Sequence, residues 1–258
     1  MKILVTNDDG VSAEGLWTLV SELEKIAQVM VAAPDKERSA AGTAVTLRQP
    51  LRAKRINPAV AEVETYSVEG TPADSVILAL VALVKDGVDM VISGINHGVN
   101  LGDDVYISGT VSAALQGYLH GVPALAISSA RENSHNSLDT AARFAALLAK
   151  RVTSEVLPRN IFLNVNLPDL PLDRIRGVRI TRSASESHTN TYEVGDDDGG
   201  KYYQLLRQRA NKPRDEETDI WAIEQGFISI SPIHDNGKSS PEHVNQLCEG
   251  LFQELRNY

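Results

Sequence analysis

The chain has 258 residues, with 42% hydrophobic and 23% charged side chains, values ordinary for a globular α/β protein of one domain. A net charge of −9 argues against polymeric nucleic acid as a partner, because phosphate backbones need a basic surface. The single cysteine, Cys248, excludes an internal disulfide and any multi-cysteine zinc site.

Met1-Lys2 leads directly into Ile-Leu-Val and then Asn-Asp-Asp, too short and too soon charged for a signal peptide. The longest apolar run, Val76 to Val84, is nine residues and cannot span a bilayer. The expectation is a cytoplasmic protein without a membrane partner.

In chain order, Lys2 to Thr6 reads as a buried strand, followed by Leu16, Leu19, Val20, Leu23 and Ile26 at helical spacing. Val29 to Ala33 is a second strand, stopped by Pro34. Ala44 to Leu47 and Val63 to Val68 are β-prone and are expected to pair as a hairpin. Thr71-Pro72-Ala73-Asp74 has the pattern of a helix start, with Thr71 as N-cap and Asp74 closing a capping box. The helix it opens is apolar all round through Val84, which predicts burial.

Asp89 to Ser93 is the next strand, Gly94 to Gly109 a glycine-rich loop, Thr110 to His120 a helix and Ala124 to Ser128 a strand. Beyond Pro168 the pattern changes: Val178 to Thr181 and Phe227 to Ser231 read as strands. The polar stretch Ser183 to Glu217 reads as a hairpin excursion or a mobile loop, and a last helix starts at Ser240-Pro241. The alternation predicts an α/β, Rossmann-like, mostly parallel sheet with helices on both faces, plus a C-terminal β-hairpin extension and a terminal helix. The expected organisation is one domain, with a core over about 1–167 and an extension and arm over about 168–258. Active sites of such sheets lie at the carboxyl ends of strands.

Asn7-Asp8-Asp9-Gly10 ends the first strand. Adjacent carboxylates repel each other and both resist burial, so a divalent cation is an economical compensation; a plain turn is the alternative. The loops after the second strand and after Asp89 to Ser93 open on the same face. There Ser39 and Asn96 can each offer a neutral oxygen. Asp8, Asp9, Ser39 and Asn96 together suit one Mg²⁺ or Mn²⁺ rather than Zn²⁺, with roughly two octahedral positions left for water and a phosphate oxygen. Ser108-Gly109-Thr110 opens a helix whose free N–H groups favour an anion. Taken alone it is a plain N-cap; facing the acidic pair it becomes a phosphate cradle. The glycines at 94, 98 and 102 fit neither a dinucleotide fingerprint nor a P-loop.

The segments Asn7-Asp8-Asp9-Gly10-Val11, Ala33-Pro34-Asp35 with Arg38-Ser39, Gly70-Thr71-Pro72-Ala73-Asp74, Ser93-Gly94-Ile95-Asn96, Asn100-Leu101-Gly102-Asp103-Asp104 and Ser108-Gly109-Thr110-Val111 occur in this order. The set, continued through Asn164 to Pro168, Thr218-Asp219 and Ile230-Ser231-Pro232, resembles the SurE survival-protein family of 5′/3′-nucleotidases. The resemblance implies hydrolysis of nucleoside 5′- and 3′-monophosphates and a C-terminal arm exchanged in a homodimer or homotetramer. It places the metal on Asp8, Asp9, Ser39 and Asn96. On this reading Asp8 and Asp9 are catalytic, and Asn96, Ser108, Gly109 and Thr110 bind phosphate. Asp103-Asp104 is read as loop structure or outer support, and His234 as a holder of the C-terminal arm or a proton donor.

Rival readings are weaker. A haloacid-dehalogenase-type phosphatase needs Asp-x-Asp, whereas these acids are adjacent. A signalling receiver needs a phosphoacceptor Asp ending its third strand, which is missing here. A nucleotide-binding module without turnover remains compatible with the motifs.

Overall fold

The computed structural model describes residues 1–60, 62–130, 136–154, 161–197, 199–210, 215–233 and 241–258. His234 lies outside the described residues. The elements are β1 (Lys2–Thr6), α1 (Glu14–Leu23), β2 (Gln28–Pro34), β3 (Ala53–Ile56), β4 (Glu64–Val68), α2 (Pro72–Leu78), β5 (Met90–His97), α3 (Gly109–Leu119), β6 (Ala124–Ser129), α4 (Asn136–Ser154), β7 (Phe162–Leu167), β8 (Val178–Ile180), β9 (His188–Asp197), β10 (Gly200–Arg209), α5 (Asp219–Glu224), β11 (Ile228–Pro232), α6 (Pro241–Cys248) and α7 (Leu251–Arg256).

Nine strands form one sheet in the order β3-β4-β2-β1-β5-β6-β7-β11-β8. The run from β4 to β7 is parallel, β3 pairs antiparallel with β4, and β11 antiparallel with β7. From β1 the chain moves one way to β2, while β5 returns on the other side of β1. That reversal opens a crevice beyond the carboxyl ends of β1 and β5, the place where such sheets bind ligands.

β1 is apolar at consecutive positions because both its faces are covered. Ile3 and Val5 join the core shared with α1 and α4, while Leu4 turns to the opposite side with Val76 of α2 and Ala113 of α3. α6 and α7 pack on α4. β11 and β8 continue the main sheet, whereas β9 and β10 form a separate antiparallel hairpin.

Several expectations change in detail. Ala44 to Leu47 is not a strand, and β3 is the partner of β4. Its polar groups serve the start of α2 instead: Thr71 Oγ1 donates to Ala44 O at 2.8 Å, and Thr46 donates its N–H to Asp74 Oδ1 at 2.8 Å and its hydroxyl to Asp74 Oδ2 at 2.7 Å. The capping box at Thr71 is present, with Asp74 N–H donating to Thr71 Oγ1 at 3.0 Å and Thr71 N–H to Asp74 Oδ2 at 2.9 Å. The apolar helix is not buried throughout: Pro72 to Val76 are, but the turn Ala79–Leu83 is π-helical and Val81 is 65% exposed. The terminal helix breaks at Gly250, whose φ of 72° ends α6 and begins α7.

We expect Thr71→Ala to lower stability by about 1–2 kcal/mol, since it removes the cap together with the bond to Ala44. Thermal denaturation should show a drop of a few degrees; an unchanged midpoint would mean this clamp contributes nothing to stability.

Candidate active site

β1 delivers Asp8 and Asp9 into the crevice, and β5 delivers Asn96. Thr6 pairs with Ser93 in register, and Asp9 and Asn96 each lie three residues past that pair, β5 being irregular between Ser93 and Asn96. The β2 loop is tied to the same place, with Arg38 N–H donating to the Asp8 carbonyl at 2.7 Å and Val11 N–H to the Pro34 carbonyl at 2.8 Å.

Asp8 is almost fully buried and abuts the start of α3. Thr110 Oγ1 donates to Asp8 Oδ1 at 2.5 Å. A Cβ at Gly109 would stand 2.7 Å from Asp8 Cβ and 2.9 Å from its Oδ2, so the carboxylate fills space that only glycine leaves. Burial raises the Asp8 pKa to about 6; the Thr110 hydroxyl pulls it down and Asp9 pushes it up. Burial also raises Asp9, opposed by the His97 N–H and the nearby imidazole. Among the described residues neither carboxylate has a lysine or arginine at ion-pair distance.

Asp9, Glu37, Ser39 and His97 line one cleft, floored by Ile95, Ala13, Gly15 and Leu138. Ser39 is exposed, and its hydroxyl donates to Glu37 Oε1 at 2.7 Å, which leaves oxygen lone pairs available. Asn96 donates its amide N–H to the Gly98 carbonyl at 2.8 Å, which orients the amide and leaves Oδ1 as an acceptor. Ser108 Oγ accepts from Val111 N–H at 3.1 Å as the N-cap of α3.

A divalent cation fits these residues. The donors are all oxygens, and among the described residues the buried Asp8 carboxylate has no balancing cation and the buried Asn7 Oδ1 beside it has no hydrogen-bond partner. Among the described residues no group of three or more His, Cys, Asp or Glu could hold a metal ion, so any such ion here depends on neutral oxygens as well.

The family model described as "Survival protein SurE" matches residues 3–190. The chain belongs to the SurE family. It is 51% identical to a protein named 5′-nucleotidase SurE from Dehalococcoides mccartyi, covering 91% of this chain and 89% of that one. It is 44% identical to the 5′-nucleotidase SurE of Geobacter metallireducens over 91% of each. The crystal structure of the SurE protein from Aquifex aeolicus superposes with a TM-score of 0.78 at 32% identity, over 97% of this chain and 99% of that one.

What reading the SurE motifs as separate pieces leaves out is the polar web joining them. Asn164 and Asn166, both buried on β7, donate to the Asn100 carbonyl at 2.8 and 3.1 Å, and Asn100 Nδ2 donates to Ser128 Oγ at 2.8 Å. The signal for this was two asparagines at alternate positions of a strand otherwise apolar, where an unpaired amide would be costly.

Proposed function

We propose that this SurE-family protein hydrolyses nucleoside 5′- and 3′-monophosphates to nucleoside and phosphate, using one divalent cation, Mg²⁺ or Mn²⁺, held by Asp8, Asp9, Ser39 and Asn96. The observation that carries the reading is the seating of Asp8 against the amino terminus of α3 at the sheet's switch point. Such an ion supplies Lewis acidity toward the phosphoryl group and lowers the pKa of water.

The chain's own groups do the rest. Asn96 and the α3 start at Ser108, Gly109 and Thr110 hold the phosphoryl oxygens, where helix N–H groups favour negative charge. The Thr110 hydroxyl is committed to Asp8 and so acts by fixing that carboxylate. Asp9, which lines the open cleft, takes the proton of the attacking water as the ribose oxygen departs in line and picks up a proton from solvent.

We place the protein in the cytoplasm as a homodimer or homotetramer. No helix among the described residues is long and apolar enough to cross a membrane. The β9–β10 hairpin exposes Tyr192, Val194, Tyr202, Tyr203 and Leu205, an apolar surface suited to a second copy. We read the chain as one domain with a core over about 1–167 and an extension and arm over about 168–258; β8 and β11 of the extension joining the main sheet support the single domain, and the separate β9–β10 hairpin is the part that stands as an arm.

The test is phosphate release from a panel of nucleoside monophosphates. We expect release that EDTA abolishes and that added Mn²⁺ or Mg²⁺ restores. Activity insensitive to chelation would remove the metal from the mechanism, and no release with any metal would leave only binding.

A further inference from the structure

From Asn96 onward, alternate residues of the loop are pinned. Asn96 donates to Gly98 O, Gly98 N–H to Ser129 O at 3.0 Å, Asn100 N–H to Asn166 Oδ1 at 2.8 Å, and Gly102 N–H to Asp219 Oδ2 at 2.8 Å. The last anchor comes from far along the chain, on α5. From Gly102 the chain makes the 3₁₀ turn Gly102–Tyr106; Ser108 N–H donates to Asp104 O at 3.0 Å, and α3 begins. Gly102 therefore stands midway between Asn96 and Ser108, six residues from each.

Asp219 is fully buried. Its Oδ2 takes the Gly102 N–H, and its Oδ1 takes the N–H groups of Ala184 at 3.0 Å and Ile220 at 2.8 Å. Among the described residues no lysine, arginine or histidine forms an ion pair with it. Burial pushes its pKa up, and the backbone N–H bonds hold it down. Starting α5 does not need this carboxylate, because Thr218 already caps that helix. A buried charge costs stability, and what it secures here is a fixed Gly102.

We infer that Asp219 is a positioning residue for the reaction: by holding Gly102 it sets the separation between Asn96 and the Ser108–Thr110 helix start, and hence the geometry in which Asn96 and Asp8 meet a cation. The inference rests on the site reading proposed above. Both oxygens must accept, so the one oxygen of Asp219→Asn keeps most bonds by facing the N–H groups of Ala184 and Ile220, which turns its NH₂ toward the Gly102 N–H and releases that anchor. Outer groups that orient ligands carry about 10-fold or more of metal affinity.

The experiment titrates Mn²⁺ into the substrate-free protein by calorimetry, alongside the Mn²⁺ dependence of phosphate release and amide hydrogen exchange. The proteins compared are wild type, Asp219→Asn and Ser187→Ala. Ser187 donates to Asp103 at the root of the β9–β10 hairpin, so Ser187→Ala removes the hydroxyl there while keeping the Cβ and backbone N that lie against Gly102, and leaves the Gly102–Asp219 hydrogen bond in place. We expect Asp219→Asn to weaken Mn²⁺ binding about tenfold, to raise the Mn²⁺ needed for half-maximal activity in step, and to speed exchange at Gly102 while β1 and β5 stay protected. Ser187→Ala should bind as wild type does. Wild-type Mn²⁺ affinity in Asp219→Asn, or an equal loss in Ser187→Ala, overturns the inference. Should Asp219→Asn not fold, Asp219→Ser, which keeps one acceptor on a shorter side chain, takes its place under the same outcomes. A wild-type protein that bound Mn²⁺ but released no phosphate would overturn the nucleotidase reading and leave the binding comparison intact.

Discussion

Asp8→Asn should lose phosphate release by about 10³-fold or more, since the change removes a charge at the centre of the proposed site while keeping the side chain's shape. The same variant should be more stable than wild type when no cation is present. The folded pKa of Asp8 is about 6 against an ordinary 3.8, so the native state holds this proton more tightly than the unfolded chain. Below about pH 4 the group is protonated in both states and costs nothing. As pH rises from there to about 6, the unfolded chain ionises first and native stability is lost; above that the cost is constant at about 3 kcal/mol. Asparagine never ionises, so its advantage in denaturant unfolding should open across that window and then level off. Added Mn²⁺ should stabilise the wild type and not the variant, narrowing or reversing the order. Full activity in Asp8→Asn would remove Asp8 from the site; equal stability at pH 5 and pH 8 relative to wild type would mean its burial is already compensated.

Gly109→Ala should cost about 10²-fold in kcat/KM. Gly109 does not have a positive φ, and alanine is the better helix former, so the backbone accepts the change. The added methyl meets Asp8 at 2.7 and 2.9 Å and Pro72 Cγ at 3.1 Å, and none of these is the end of a flexible chain. Asp8 must move away from α3, taking its carboxylate from the Thr110 hydroxyl. Activity should fall while the circular dichroism spectrum is kept, and Mn²⁺ affinity should fall with it. Wild-type kcat/KM in this variant would mean that the close approach of Asp8 to α3 has no part in the chemistry.

The regular elements were largely legible because their signals are local. β1 and β2 are short apolar runs closed by Asn-Asp-Asp and by Pro, β6 is an apolar run opened by Pro123, and the Thr71 box is written in four consecutive residues; β5, by contrast, runs on through Gly94 to His97, four residues beyond the expected strand end. Less legible was α4, whose stripe of alanines is a weak apolar signal and whose burial depends on α1 and α7 lying across it. Ala44 to Leu47 misled for a related reason: its β-prone side chains say nothing about Asp74, which takes the polar groups a strand partner would have used.

Composition and motif order by themselves determined the sheet class and the family, because strand ends, turn residues and acid pairs are properties of neighbours in the chain. Only the tertiary structure decided which groups are spent and which remain available. Thr110 is bound to Asp8, and Asp219 reaches Gly102. Those pairings join residues distant in sequence, and burial sets both their hydrogen bonds and their charge states, so no run of neighbouring residues encodes them.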